Sequence, residues 1–441
     1  MSLIPVKEYA SLSAEAIDAI IERASLNPAE IISNLVKPMA AEFKKDGLGT
    51  LKKYSLKFDK AFCQPAVLEK SHLKAAIDRV HQENSEAIGA FEKAIDNITT
   101  FHKGQVLEGF ETEIDDNTLG LKYVPFDACA LYVPGGKALY PTTVMMGIIP
   151  ARLAGVGDIT IISPPNAELG AVPDVVQAIA SLAGADRLLQ AGGAQSILAA
   201  ALGVEELNIK PADFIYGPGN IYVAAAKAYV SSQGFCGIDS FAGPSEVVII
   251  ADETADPYLL AHDLLAQAEH DEDATSILLC TDEKTCQGTA EAISAAIDER
   301  DSDRKDITRE SIKRNGHILQ VDSLETAIGF SNRFAPEHLE IQTQKDDWIL
   351  EQIKAAGSVF VGRYAPVAIG DYYSGTNHIL PTNGAARFAS GVGVQSFYRR
   401  ITYQRCTVQG IKNSADPITI MSKIEGLFDE HGYSVLARIK R

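Results

Sequence analysis

Thiol pairs, basic surface and long apolar runs are what this 441-residue chain lacks. Its six cysteines, Cys63, Cys129, Cys236, Cys280, Cys286 and Cys406, are scattered. No two of them form C-x-x-C, so neither a thiolate zinc site nor a dithiol redox centre is expected. Reduced, mostly buried thiols are the expectation, with Cys129 a structural one. Positive charge is short: 40 Lys and Arg face 58 Asp and Glu, a formal net charge of -18 that repels phosphate backbones and anionic lipid. Nucleic acid is therefore not an expected partner. Prolines and charges interrupt every long apolar run, including the one around Val144 to Ile162, so no membrane span is expected. Met1-Ser2-Leu3-Ile4-Pro5 leads into an acidic amphipathic stretch instead of the basic region and apolar core of a secretory leader, which points to the cytosol. Several signature motifs are missing too. H-E-x-x-H, G-x-S-x-G and a complete G-x-G-x-x-G are absent, and Gly135-Gly136-Lys137-Ala138 lacks the upstream glycine and the Ser/Thr of a P-loop.

What is present is length and alternation. With 46% hydrophobic residues, the chain exceeds what one core organises, so at least two packed units are expected. Residues 1 to about 120 read as mostly helical, with apolar residues at spacings of three and four over Ala14 to Ala24 and Leu68 to Asn97. Segment 29–59, with Phe58-Asp59 at its end, continues that pattern. From about 121 short β-branched runs alternate with helical stretches. Strands are expected at Asp158–Ile162, Arg187–Gln190, Phe214–Tyr216, Glu246–Ile250, Thr275–Cys280, His317–Val321 and Ser358–Val361. Such alternation predicts parallel sheets covered by helices on both faces. The expected fold class is α/β: two tandem Rossmann-like doubly wound sheets with helical N-terminal and C-terminal extensions. A weak self-similarity between 121–240 and 245–365 is suggested but not established, and residues 394–441 read as a helical appendage.

The candidate chemistry lies in the second half, where His262, His270, His338, His378 and His431, five of the nine histidines, stand among acidic and amide residues. Gln267 and His270 are three apart near the end of a helix opened by Pro257, hence on one face and able to share an ion. The same spacing suits a polar helix end running into Asp271-Glu-Asp273. Phe334-Ala-Pro-Glu-His-Leu-Glu340 sets Glu337 beside His338 at a helix-to-strand transition, a pair fitted to proton transfer or water activation, or simply a solvated turn. Gly370-Asp-Tyr-Tyr-Ser-Gly-Thr-Asn-His-Ile-Leu-Pro381 gathers Asp371, Ser374, Thr376, Asn377 and His378 between two glycines, as a ligand-lining loop does. Three glycine turns, Tyr132–Gly136, Gln190–Gln195 and Tyr216–Asn220, fall at expected strand ends, where a nucleotide cleft forms in a doubly wound sheet.

In order along the chain, Leu131-Tyr-Val-Pro-Gly-Gly136, Gly192-Gly-Ala-Gln195, Tyr216-Gly-Pro-Gly-Asn-Ile-Tyr-Val223, Ala242-Gly-Pro-Ser-Glu246, Asp263-Leu-Leu-Ala-Gln-Ala-Glu-His270, Ala335-Pro-Glu-His-Leu-Glu340 and Gly370–Pro381 make the sequence, from about residue 30 on, resemble the histidinol dehydrogenase family. The resemblance implies oxidation of L-histidinol to L-histidine through a bound aldehyde, with two NAD⁺ reduced. It implies a zinc ion held by Gln267, His270, Asp371 and His431. The last comes from the second subunit of a homodimer, through the pattern His431-Gly-Tyr-Ser-Val435 with Arg438. It implies Glu337 and His338 as the catalytic pair, Ser245 and His378 as further substrate contacts, and Tyr132, Gln195 and Asn220 as dinucleotide contacts. The division it implies is an N-terminal extension over 1–27, an α/β domain from 28–131 and 245–390 carrying metal and catalytic residues, an NAD-binding domain over 132–244, and the appendage 391–441.

One spacing departs from the family pattern. The substrate-reading glutamate usually precedes the terminal zinc histidine by five residues, whereas Glu425-Gly-Leu-Phe-Asp-Glu-His431 has one residue more, leaving Glu425 or Glu430 for that contact. That change leaves two other readings open: a dehydrogenase of the same fold acting on another small alcohol, such as a sulfonated propanediol, and a zinc hydrolase using Glu337 without a nucleotide.

Overall fold

The computed structural model describes residues 3–22, 28–135, 139–240, 243–300 and 302–440. Ala24 of the first expected helix, Gly136 to Ala138 of the first glycine turn, and Ala242 lie outside the described residues.

One six-stranded sheet runs, in spatial order, Val67–Glu69, Arg187–Gln190, Asp158–Ser163, β1 (Ala128–Tyr132), Phe214–Tyr216 and Gly237–Ile238. Its neighbours are parallel except at the antiparallel Val67–Glu69 edge. Helices α1 (Gly193–Leu202) and α2 (Ile221–Ser232) cover one face. The second six-stranded sheet runs Val6–Glu8, Gly316–Gln320, Thr275–Cys280, β2 (Glu246–Ala251), β3 (His338–Gln342) and Ser358–Val361, all parallel. Helix α3 (Pro257–Ala268) packs on one face, and the six-residue α4 (Val367–Tyr372) follows the last strand. The residues of β2 are buried throughout, which is why Glu246-Val-Val-Ile-Ile-Ala251 reads as a continuous apolar run behind its leading glutamate.

Counted from Ala128 and from Glu246, the five parallel strands of each sheet follow the same order, 3-2-1-4-5. This is the order of the first five strands of the doubly wound Rossmann sheet. The self-similarity that the sequence only suggests is thus matched by shared topology, and two parallel-sheet units stand in tandem.

The expected boundaries differ from those observed. Residues 29–103, expected with the metal-bearing half, pack on the β1 sheet: Met39, Phe43, Leu51 and Tyr54 enter its core on one face, and Leu68, Leu73, Ala94 and Ile98 on the other. Strand β1 is itself central in that sheet. Conversely, Val6–Glu8 forms an edge of the β2 sheet, and Ile17, Ile20 and Ile21 of helix Ala14–Glu22 cover that sheet's core. An amphipathic pattern shows that a face is buried, not which sheet buries it.

The C-terminal appendage is also not all helix. Strand β4 (Tyr398–Cys406) pairs antiparallel with Asn117–Pro125, which in turn pairs with Phe110–Ile114. These strands lie in regions read as helical: β4 is remote from its partner in sequence, while Phe110–Ile114 and Asn117–Pro125 form a local hairpin across Asp115-Asp116 that the helical reading misses. Helix α5 (Val408–Ile424), a π-helical turn at Phe428–Gly432 and a last helix Tyr433–Ile439 then pack on one another. Among the described residues no helix is long and apolar enough to cross a membrane.

Candidate active site

The candidate catalytic residues sit where β2 and β3 begin, side by side, with Val247 in register with His338. The imidazole of His338 is 3% exposed, and its Nδ1 lies 3.2 Å from the carbonyl oxygen of Glu246. A carbonyl only accepts, so Nδ1 carries the proton and Nε2 keeps a lone pair. Nε2 has no hydrogen-bond partner; the nearest acid is Asp371, whose Oδ1 is 3.7 Å away. Burial, reinforced by the charges of His270 and His378, pushes the His338 pKa down to about 3, so the ring is neutral.

Glu337 is buried as well. Its Oε2 accepts the Glu246 backbone N–H at 3.0 Å, while Glu246 returns the bond, its Oε2 accepting the Glu337 N–H at 3.3 Å. Burial, with the Glu246 charge next in size, raises the Glu337 carboxyl well above its usual range, and Ser245 hydrogen-bonds to it. Glu246 Oε1 accepts the Asn383 N–H at 2.9 Å. Glu246 was not singled out from the sequence, although it closes a quoted motif; its carboxylate binds backbone and leaves no pattern of its own.

Three donors suited to a metal surround this pair. Gln267 is 2% exposed, yet neither atom of its amide has a partner. Buried amides are ordinarily satisfied, so this one is shaped for a ligand. His270 stands just past the end of α3, with Arg304 holding both the Glu269 and His270 carbonyls, each with one bond of 2.9 Å. Asp371 lies on α4 instead of in the expected loop, and burial pushes its pKa up to about 7. Orphaned Gln267, an imidazole and a buried carboxyl fit a borderline cation such as zinc. Among the described residues no group of three His, Cys, Asp or Glu side chains is placed to hold a metal ion.

The loop after α4 ties this site to the other sheet. His378 Nδ1 donates to the Asp371 carbonyl at 2.9 Å, leaving Nε2 to accept from the Thr143 hydroxyl at 3.0 Å. Asn377 donates to the Met146 carbonyl at 2.7 Å, and both partners belong to helix Pro141–Ala154 over the β1 sheet. Gly375, at φ +109°, lets this crossing pass so close to Asn97 that a Cβ would stand 2.7 Å from its carbonyl oxygen.

At the carboxyl ends of the β1 sheet lie the expected dinucleotide residues. The Tyr132 hydroxyl accepts from Gly193 N–H at 3.3 Å. Gln195 is fully buried; its Nε2 donates to Asp59 at 3.1 Å, and its Oε1 has no partner. Asp59 also accepts from Gly192 N–H at 3.1 Å, a role the Phe58-Asp59 pair did not disclose. Asn220 caps α2, accepting from Tyr222 and Val223. Gly217, at φ +103°, brings the turn against the Tyr132 carbonyl, and Lys227 with Asp239 clamps it from below. Cys129 is buried in β1 with its thiol raised by burial.

Glu425, Glu430 and His431 are all exposed on the appendage, outside the group around His338. Between Glu425 and His431 the helical path breaks at Gly426, at φ +71°, and resumes in a π-helical turn at Phe428–Gly432 that contains His431.

Two Rossmann-ordered units meeting at a buried, neutral imidazole and a carboxyl define an α/β oxidoreductase of the dehydrogenase type. The histidinol dehydrogenase family model matches residues 22–439. The histidinol dehydrogenase of Leptospira interrogans is 46% identical over 426 residues, 96% of each chain, and that of Methanocaldococcus jannaschii 40% identical over 437 residues, 99% of each. The crystal structure of histidinol dehydrogenase from Elizabethkingia anophelis superposes with a TM-score of 0.92 at 37% identity, covering 100% of this chain and 99% of that one. The chain belongs to the histidinol dehydrogenase family, oxidoreductases of histidine biosynthesis.

Proposed function

We propose that the protein oxidises L-histidinol to L-histidine in two steps on one site, as a cytoplasmic homodimer with neither a membrane nor a nucleic-acid partner. Supporting the substrate over other small alcohols are the names of relatives that match along nearly the whole chain. The observation that carries the chemistry is the unpartnered Nε2 of His338, held as a lone pair by the Nδ1 contact to Glu246.

Gln267, His270 and Asp371 would hold zinc together with the partner subunit's His431, and Tyr132, Gln195 and Asn220 would hold NAD. When bound, zinc polarises the substrate's oxygen, and NAD⁺ takes up each hydride. His338 Nε2 takes the hydroxyl proton as hydride leaves the carbinol carbon, giving the aldehyde. In its ionised form Glu337, a stronger base than an ordinary carboxylate because it is buried, takes a proton from the water that adds to the aldehyde carbon. His338, its first proton released to solvent, then accepts the hydroxyl proton of the hydrated aldehyde as the second hydride leaves, giving the carboxylate. Ser245 and His378 orient the substrate, and the partner subunit's Glu425 reads its imidazole.

The appendage supports the dimer. Ile420, Met421 and Ile424 are exposed on one side of α5, an apolar patch suited to a second copy. L-Histidinol with NAD⁺ should give NADH, two per histidine formed, with activity lost to a chelator and restored by Zn²⁺. Folded, metal-replete protein that makes no NADH from L-histidinol would overturn the reading.

A further inference from the structure

One layer behind the site, the elements that carry it meet a second time. On β3, His338, Glu340 and Gln342 alternate and share one face. On α3, Asp263 precedes Gln267 by four residues on one face, and His270 follows just past the helix end. Helix α4 opens at Val367, one turn before Asp371. Glu340 Oε1 accepts the Val367 N–H at 3.1 Å. The Gln342 amide donates to Glu340 Oε2 at 3.1 Å and to Asp263 Oδ2 at 2.9 Å, so one amide bridges the two carboxyls. Burial raises both carboxyls, and two adjacent buried carboxylates cannot both stay ionised, so the pair shares a proton.

Burying this cluster is costly. Glu340 is 1% exposed and Gln342 4%, and apolar residues of similar volume would stabilise a core at least as well. What a polar cluster adds is direction: hydrogen bonds fix angles and registers that apolar packing leaves loose. We infer that Asp263, Glu340 and Gln342 form the positioning network of the active site, setting α3, β3 and α4 relative to one another. They thereby fix Gln267, His270, His338 and Asp371, a role that rests on the proposed assignment of those four.

The test uses the full-length enzyme and reads kcat, KM for NAD⁺, and zinc affinity by competition with a chromophoric chelator. Asp263→Ala and Glu340→Ala should each lower kcat and weaken zinc by about tenfold or more, the usual size of outer-layer effects at metal sites, with KM for NAD⁺ unchanged. Asp263→Asn puts an amide N–H where the shared proton lies, and should restore both to within about threefold of the parent. Gln342→Met keeps volume and removes only the bridging donor, so it reports on the network should the alanine variants not fold; it should lower kcat several-fold. Folded alanine variants with parental kcat and zinc affinity overturn the inference, as does Asp263→Asn no better than Asp263→Ala. A His338→Asn control separates the two claims: if that variant is fully active the site assignment fails, and if it is impaired while the network variants are silent, only the network fails.

Discussion

The Nδ1 atom of His338 lies 3.2 Å from the carbonyl oxygen of Glu246, and this contact decides which ring nitrogen is the base. The ring is also kept neutral by burial. His338→Asn preserves a donor at the Nδ1 side and removes the lone pair. It should lower kcat by about 10²–10⁴-fold while zinc content and thermal midpoint stay near parental. A kcat loss smaller than tenfold would remove His338 from the proton-transfer role.

Subunit mixing tests the shared site. His338→Asn and His431→Ala homodimers should each be nearly inactive. Unfolding and refolding them together gives hybrids in which one site keeps both histidines, so activity should recover to about one quarter of parental. No recovery, with hybrid dimers demonstrated by mass, would place His431 outside the partner's site.

Asp59 reaches the dinucleotide loop without lying at an expected contact position. It holds Gly192 N–H and Gln195 Nε2. Asp59→Ala should raise KM for NAD⁺ by about five- to tenfold, the worth of a hydrogen bond or two, with kcat little changed. An unchanged KM for NAD⁺ counts against this role.

Thr143 and His378 bridge the two units at 3.0 Å. Thr143→Val keeps the shape and removes the donor to Nε2 of His378. The expected result is a loss of about two- to tenfold in kcat/KM for L-histidinol, with binding of NAD⁺ in a calorimetric titration unaffected.

His317 should cost the fold stability on acidification. His317 has its pKa pushed down to about 4 by burial, with Lys7 adding to it, against about 6.5 in an unfolded chain. Between those values the unfolded state binds a proton that the folded state refuses, so stability is lost as pH falls from about 6.5 towards 4. From pH 7 to pH 5 this half-buried residue should contribute roughly 1–2 kcal/mol of that loss. His102, His338 and His378 are shifted the same way. Between pH 7 and pH 5 the urea midpoint of the parent should shift downward relative to that of His317→Gln; equal pH dependence in parent and variant would discount it.

Much of the architecture was legible along the chain. Asp158, Arg187, Phe214, Thr275 and Ser358 each open an observed strand at the expected residue. Fully buried parallel strands are runs of β-branched and aliphatic residues that local reading detects. Strand β4 escaped because Tyr398–Cys406 is largely exposed and its pairing partner lies near residue 120. The site was legible as clusters: Gln267 with His270, Glu337 with His338, and Asp371 with His378 each stand close in sequence on one element or loop. Glu246, Asp59 and Thr143 were not, because each acts through a hydrogen bond to a distant segment.

The sequence by itself determined the alternation that makes two parallel sheets, the family, and the side chains available for chemistry, since periodicity and motifs are local properties of the chain. Only the tertiary structure decided which sheet residues 29–103 cover, that Val6–Glu8 closes the edge of the β2 sheet, and that Nε2 of His338 is the free nitrogen. These depend on contacts between segments far apart in the chain. A tautomer, a buried carboxyl's proton or the choice between two similar apolar faces exists only once those segments are packed together.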